Sequence, residues 1–95
     1  DWRWESTHPY FEKQRINKTL ILPQARKIAL HFKKLSLYSE DKILITDSKG
    51  QKFEIFGNQT DDYTPLFSGP KIHIQFQVKS KQSFWGFYFD QVAFK

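Results

Sequence analysis

Few residues of this sequence have the types and spacing that acid–base or metal chemistry requires. The three histidines are His8, His31 and His73, and none has the His-x-His or His-x-x-x-His spacing of zinc sites. The 95 residues include no cysteine, which excludes disulfides, thiolate metal ligands and thiol nucleophiles. Zinc binding therefore has no support in the sequence.

Nucleophilic catalysis and phosphate binding also lack a signature. No serine lies in a Gly-x-Ser-x-Gly elbow, and the four glycines are isolated, so no glycine-rich loop could hold a phosphate. The adjacent Asp61 and Asp62 could bind a cation or act as acid and base, but we interpret them as a solvated turn. We expect that the chain is not an enzyme, although a longer protein containing it could be one.

Aromatic residues make up 18% of the chain and are its most suggestive side chains. Exposed aromatic rings beside polar groups stack on sugars or anchor protein interfaces, whereas buried rings only fill a core. Trp2, Trp4, Phe84 and Trp85 would share one patch if the first and last strands are neighbours. The full set of candidate binding residues is Trp2, Trp4, Tyr10, Tyr63, Phe84 and Trp85, with Lys79 and Lys81.

The net charge of +5 comes mostly from lysine. A basic balance attracts nucleic acids or anionic membranes, but the charges are spread evenly, which is typical of solvated outer faces. We therefore expect no nucleic-acid partner. No apolar run approaches the roughly 18 residues of a transmembrane helix, so we expect no membrane span.

Alternation of apolar and polar residues is the clearest structural signal. In residues 71–78, Ile72, Ile74, Phe76 and Val78 would face one side of a strand, as expected for a half-buried antiparallel strand. Similar patterns predict strands over residues 27–32, 42–46 and 51–56, the last two joined by a hairpin turn at residues 47–50. His31 and His73 fall on polar faces, so we expect them at the surface, where they could be neighbours across strands.

The remaining segments are less regular. Residues 2–6 and 19–22 are interpreted as short strands, residues 12–18 show no periodicity, residues 33–40 are ambiguous, and residues 57–70 are rich in turn formers. Residues 84–94 are apolar on both faces, which indicates a central strand or a bulge that switches faces. Together these patterns predict one all-β domain over residues 1–95, an antiparallel β-sandwich.

Several landmarks occur in an order that resembles a CUB domain. They include the opening Glu5-Ser6-Thr7-His8-Pro9-Tyr10, the Leu30 and Phe32 strand, Asp41 before the next strand, and a closing Gly86-Phe87. The opening is similar to that of divergent CUB-like domains in bacterial secreted proteins and in some very large multidomain eukaryotic proteins. The resemblance implies a jelly-roll β-sandwich that acts as a recognition module within a longer protein.

Many CUB domains hold calcium through acidic side chains and present the ion to a basic residue of a partner. The resemblance assigns Asp41 to this set, but Tyr38 stands where a second acidic residue belongs, and the loop before Gly86 carries Lys79 and Lys81. Calcium takes six to eight oxygen ligands, so we expect no calcium and no other cofactor. The carboxylates that could still contribute to a metal site are Asp41, Asp61 and Asp62. The disulfides of the family are absent.

The sequence thus predicts a non-catalytic recognition or accessory module that mediates protein–protein or interdomain contacts. Loops over residues 10–18, 58–67 and 79–85 would carry the binding, since loops on rigid scaffolds commonly do. The alternative is a carbohydrate-binding module that uses exposed aromatic rings. No signal peptide is visible, and the sequence indicates no compartment.

Overall fold

A computed structural model of the protein describes residues 3–10, 15–81 and 84–95. Within these residues the chain forms strands only, with no helix. The strands are β1 (Trp4–Glu5), β2 (Arg15–Ile21), β3 (Lys27–Ser36), β4 (Lys42–Thr46), β5 (Lys52–Ile55), β6 (Asn58–Tyr63), β7 (Phe67–Ser68), β8 (Lys71–Gln77) and β9 (Gly86–Phe94). They pair in two antiparallel sheets, which confirms the predicted all-β antiparallel sandwich.

The two sheets have different widths. The five-stranded sheet has the order β1-β9-β3-β6, and β7 also pairs with β3. The four-stranded sheet has the order β2-β8-β4-β5. Consequently β5 and β6 are edge strands of opposite sheets, while β3 and β8 lie in the interior of theirs.

The core lies between the two sheets and follows the predicted alternation. Ile72, Ile74 and Phe76 of β8 are completely buried. Phe76 meets Phe87 of the opposite sheet in an edge-on contact with ring centroids 4.9 Å apart. Each such fully buried side chain contributes about 1.5–3 kcal/mol relative to an exposed one, so these rows hold the sheets together.

A bulge explains why the last strand is apolar on both faces. Leu30 of β3 pairs with Val92, whereas Phe32 pairs with Phe89, so β9 contains one extra residue at this point. The extra residue lets Phe89 and Val92 both turn toward the core, since one inserted residue inverts the alternation. Because β9 also lies between β1 and β3, both sequence-based readings of this segment are correct.

The strand content predicted from the sequence is too low in three places. Residues 57–70, predicted as loop, contain β6 and β7; β2 begins before residue 19; and β3 continues beyond residue 32. In each case backbone pairing with a neighbour extends the strand where side-chain periodicity is missing. The clearest case is β2, which pairs with β8 over its whole length from Arg15 to Ile21.

The opening and closing sequence landmarks meet in space. Ser6 N donates to the Phe87 carbonyl oxygen at 3.1 Å, and Phe87 N donates to Ser6 Oγ at 3.0 Å. Gly86 has a φ of 108°, and a Cβ atom at this position would lie 1.9 Å from Ser6 Oγ. The corner therefore requires glycine for its backbone conformation and for the space that Ser6 occupies.

We predict that Gly86→Ala lowers the free energy of unfolding by about 3 kcal/mol, because strain in the backbone adds to a steric clash. Gly57→Ala is the matched control: Gly57 has a φ of 82°, but nothing lies within 4 Å of its Cβ position. This control should lose only about 1 kcal/mol. Guanidinium denaturation of both variants measures the difference, and equal losses would contradict the packing argument.

Candidate binding surface

Exposed hydrophobic side chains are concentrated at one side of the sandwich. Phe53, Phe56, Tyr63 and Leu66 are all exposed, and they lie where β5 of one sheet faces β6 and the β6–β7 connection of the other. Monomeric soluble proteins rarely expose large contiguous apolar patches without a function. This side is therefore the strongest candidate for a binding surface.

A cleft of about 170 Å³ lies at the centre of this surface. We call it the edge cleft, and the residues that line it are Phe32, Phe53, Glu54, Ile55, Phe56, Gln59, Tyr63, Thr64 and Pro65. A second, more open depression adjoins it, shares Phe53 and Pro65 with it and adds Leu66 to the apolar lining. The two form one surface.

The local sequence explains why Phe56 is exposed. Ile55 is the last residue of β5 and is buried opposite Ile43. Since neighbouring residues of a strand point to opposite faces, Phe56 cannot enter the core as well. Gly57, with a φ of 82°, then turns the chain, and its carbonyl oxygen accepts a hydrogen bond from Leu37 N at 3.0 Å.

On the β6 side of the edge cleft, the ring of Tyr63 contacts His31, and each ring nitrogen of His31 lies close to a carboxylate. The rings of Tyr63 and His31 are 4.7 Å apart. His31 Nδ1 lies 2.6 Å from Asp90 Oδ1, and His31 Nε2 lies 2.8 Å from Asp61 Oδ1. Both ring nitrogens therefore face acceptors, an arrangement that suits the doubly protonated imidazolium, which donates twice.

This environment corrects the expectation that His31 lies at the surface. The hydrogen bond to Asp90 raises the pKa of His31, burial opposes the increase, and Asp61 adds to it. Asp61 is part of β6 and not of a solvated turn. His73 belongs to β8 of the other sheet, so the two histidines are not neighbours across strands.

The aromatic patch predicted near the termini is half-buried and internally partnered. Trp4 lies 4.8 Å from Phe87 between ring centroids. Trp85 is stacked on His8 at 3.8 Å, and Lys34 Nζ lies 4.7 Å from its ring centroid. Strands β1 and β9 pair, which was the condition for these rings to share one patch. The result is a set of rings whose faces already have partners within the domain.

The other predicted binding residues fall in different places. Phe84 is half-buried with its ring 5.3 Å from Tyr38, and Lys79 and Lys81 are exposed. Tyr10 is completely buried, which corrects its assignment to the surface. Trp2, residues 11–14 of the first predicted loop and residues 82–83 of the third lie outside the described residues. Tyr63 is exposed and lines the edge cleft.

Phe53, Phe56 and Leu66 were not among the binding residues predicted from the sequence. One signal was present: in a strand, the neighbouring apolar residues Ile55 and Phe56 cannot both face the core. A comparable signal is the apolar stretch Pro65-Leu66-Phe67, of which Phe67 alone is buried. That these side chains converge depends on the pairing of β6 with β3, which the sequence does not indicate.

The candidate metal ligand Asp41 has a different environment from the one expected. Its side chain is completely buried. Oδ1 accepts hydrogen bonds from Lys79 N at 2.9 Å and Ser80 N at 3.0 Å, and Oδ2 accepts from Ser80 Oγ at 2.7 Å and from Tyr10 Oη. The Tyr10 hydroxyl in turn accepts from Tyr38 N at 3.0 Å. Both carboxylate oxygens are therefore engaged by protein donors.

These contacts also change the acidity of both groups. Burial alone would raise the pKa of Asp41, but the hydrogen bonds from Tyr10, Ser80 and Lys79 outweigh it and hold that pKa below its ordinary value. Burial and the bond to Asp41 raise the pKa of Tyr10 to about 12. At neutral pH the pair is thus a carboxylate and a neutral phenol.

The three acidic candidates do not form one metal site. Asp41 precedes β4, whereas Asp61 and Asp62 lie on β6 of the other sheet. Throughout the described ranges, no group of three or more potential ligands is arranged to hold a metal ion. The expected absence of calcium stays a prediction.

Comparisons with known proteins do not assign the chain to a family. No protein-family model matches the chain, and no curated protein matches it. The resemblance to CUB domains therefore rests on the sequence landmarks alone. Across the described parts of the chain, no helix has the length and hydrophobicity needed to cross a bilayer.

We predict that Asp41→Asn lowers the free energy of unfolding at neutral pH by about 3 kcal/mol, since buried donors lose a charged acceptor. Because folding lowers the pKa of Asp41 from about 3.9 in the unfolded chain, its stabilisation is complete above about pH 4. It is lost as the pH falls through the folded pKa.

Denaturation of wild type and variant at a series of pH values measures this contribution. The two stability curves should converge on acidification, and a difference that does not depend on pH would contradict the assignment. Asp62→Asn is the control, because Asp62 is exposed and should show little effect at any pH.

Proposed function

We propose that this chain is a non-catalytic recognition module of the CUB-like type, and that its edge cleft binds an apolar segment of a protein partner or neighbouring domain. The observation that carries the proposal is the concentration of Phe53, Phe56, Tyr63 and Leu66 at one edge of the sandwich. Burial of such side chains is the principal source of affinity at protein interfaces.

The dimensions of the cleft favour a protein side chain over a small-molecule ligand. Small-molecule pockets are usually concave and measure about 300–1,000 Å³, whereas the edge cleft measures about 170 Å³ and the adjoining depression of about 370 Å³ is open to solvent. A cleft of this size suits one large apolar side chain. The adjoining depression around Leu66 would accept further residues of the same segment.

The position of β5 at the edge of its sheet favours a partner in extended conformation. In the described sheet, β5 pairs with β4 on one side and borders no strand on the other. Edge strands of this kind accept an extended peptide as an additional strand, with side chains entering adjacent pockets. The partner we propose is thus a peptide in extended conformation with at least one large apolar side chain.

A carbohydrate ligand fits these observations less well. Sugar-binding sites need exposed ring faces next to hydrogen-bonding groups. Trp4 and Trp85 are half-buried, and their rings contact Phe87 and His8, respectively. Exposed rings and the polar Gln59 and Glu54 do meet in the edge cleft, but the Glu54 carboxylate is already paired with Lys42.

We predict that Phe56→Ser weakens binding of a selected peptide at least tenfold, since it removes an exposed apolar anchor and costs at least about 1.4 kcal/mol of binding energy. The peptide is obtained by panning a displayed random library against the wild-type domain. NMR chemical-shift perturbation locates the bound peptide, and isothermal titration gives both affinities.

Phe94→Ser is the matched control, because Phe94 is 59% exposed, close to the 52% of Phe56, but does not line the edge cleft. It should leave the affinity unchanged. Peptide shifts that map away from Phe53, Phe56 and Tyr63 would contradict the proposal. So would a glycan-array signal that requires Trp85 while no peptide is enriched, which would favour the carbohydrate alternative.

A further inference from the structure

His31, Asp61 and Asp90 form a charged cluster beside Tyr63. His31 is an ionisable residue on the outer face of a central strand, and its side chain is only 11% exposed. Asp90 of β9 and Asp61 of β6 face its two nitrogens. It therefore connects two neighbouring strands through charge-assisted hydrogen bonds.

The two carboxylates hold His31 unequally. The Asp90 side chain is 21% exposed and lies 2.6 Å from Nδ1, whereas the Asp61 side chain is 83% exposed and lies 2.8 Å from Nε2. A neutral imidazole has one N–H and can donate to only one carboxylate. The shorter, less exposed bond to Asp90 is the one it keeps, and the lone pair on Nε2 then repels Asp61.

Asp61 also has an unusual backbone conformation for a strand residue. It has a φ of 52°, in the left-handed region, which aspartate and asparagine adopt more readily than most non-glycine residues. Two residues further along the strand, Tyr63 packs on His31 and lines the edge cleft. When the contact to Asp61 is lost, His31 no longer holds this residue, and the segment keeps its backbone pairing with β3 and the ring contact of Tyr63.

We propose that His31, Asp61 and Asp90 form a pH-dependent latch: the doubly protonated imidazole fixes β6, and with it Tyr63, in the geometry of the edge cleft. Control of ligand binding by the latch rests on the proposed function, but the latch itself does not. The site it regulates is the wall of the cleft formed by β6.

The direction of the response follows from the surrounding charges. From β9, Asp90 faces the ring, with the neutral Gln91 opposite in register; from β6, Asp61 and Tyr63 face it. On its own strand, Lys33 and Lys34 are both exposed, and Lys34 extends to Trp85. The two carboxylates raise the pKa of His31 above its ordinary value of about 6.5.

The latch is therefore closed below about pH 6.5 and opens as the pH rises through the folded pKa of His31. Binding at the edge cleft should weaken over the same interval. A raised pKa in the folded state means that protonation stabilises the fold, so this stabilisation also disappears with increasing pH.

The test is an NMR titration of the wild-type chain from about pH 5 to about pH 9, a range that spans histidine ionisation. The imidazole signals of His31 and the backbone amides of Asp61 and Tyr63 should change with one common midpoint. Asp61→Asn keeps a residue that tolerates positive φ but removes the charge. In this variant the midpoint of His31 should move to lower pH, and the coupled amide response should be lost.

His73→Gln serves as the control, since His73 lies in the four-stranded sheet, and it should leave the His31 midpoint unchanged. An unchanged His31 midpoint in Asp61→Asn, or amides of β6 that do not respond at that midpoint, would overturn the latch. A titration of the selected peptide at the two ends of the pH range should show severalfold weaker binding at high pH in wild type only. If no peptide binds, the proposed function fails while the NMR titration still decides the latch.

Discussion

The arrangement of the chain depends most on the hydrogen bonds that the buried carboxylate of Asp41 accepts. It lies just before β4 and accepts hydrogen bonds from Tyr10, the last residue of the opening motif, and from Lys79 and Ser80, which follow β8. Removing a carboxylate from water is costly unless its lone pairs are satisfied. Because the donors come from two segments that are distant from Asp41 in the sequence, the charge is accommodated only when both donor segments and β4 are in place.

A second buried carboxylate holds the opposite end of the same strand. Asp47 Oδ1 accepts from Lys49 N at 3.0 Å and Gln51 N at 2.9 Å, and Oδ2 accepts from Ser68 N at 3.0 Å. Hydrogen bonds from the backbone of Ser68, Gln51 and Lys49 outweigh burial and lower the pKa of Asp47. Strand β4 is thus held at both ends, and it supports β5, which carries Phe53 to the edge cleft.

The edge cleft follows from this framework and from the pairing of β3. Its two walls belong to different sheets, so the distance between Phe53 and Tyr63 depends on how the sheets pack and not on any local turn. Phe32 contributes from the core below. A rigid sandwich can therefore keep apolar side chains apart and exposed, which is what a recognition surface needs and what an isolated hairpin could not provide.

Sequence alone determined the fold class, because alternation in β8, β4 and β3 reports directly which side chains face a core. It also identified the hairpin at residues 47–50 and gave a bulge as one of two explanations for residues 84–94, since both leave a local pattern. Exposure of particular rings was decided by tertiary structure: Tyr10 is buried against Phe76 and bonded to Asp41, and Trp85 is stacked on His8. The pairing of β6 with β3 likewise depends on contacts between residues about thirty positions apart, such as His31 and Asp61, and no periodicity in one segment encodes that proximity.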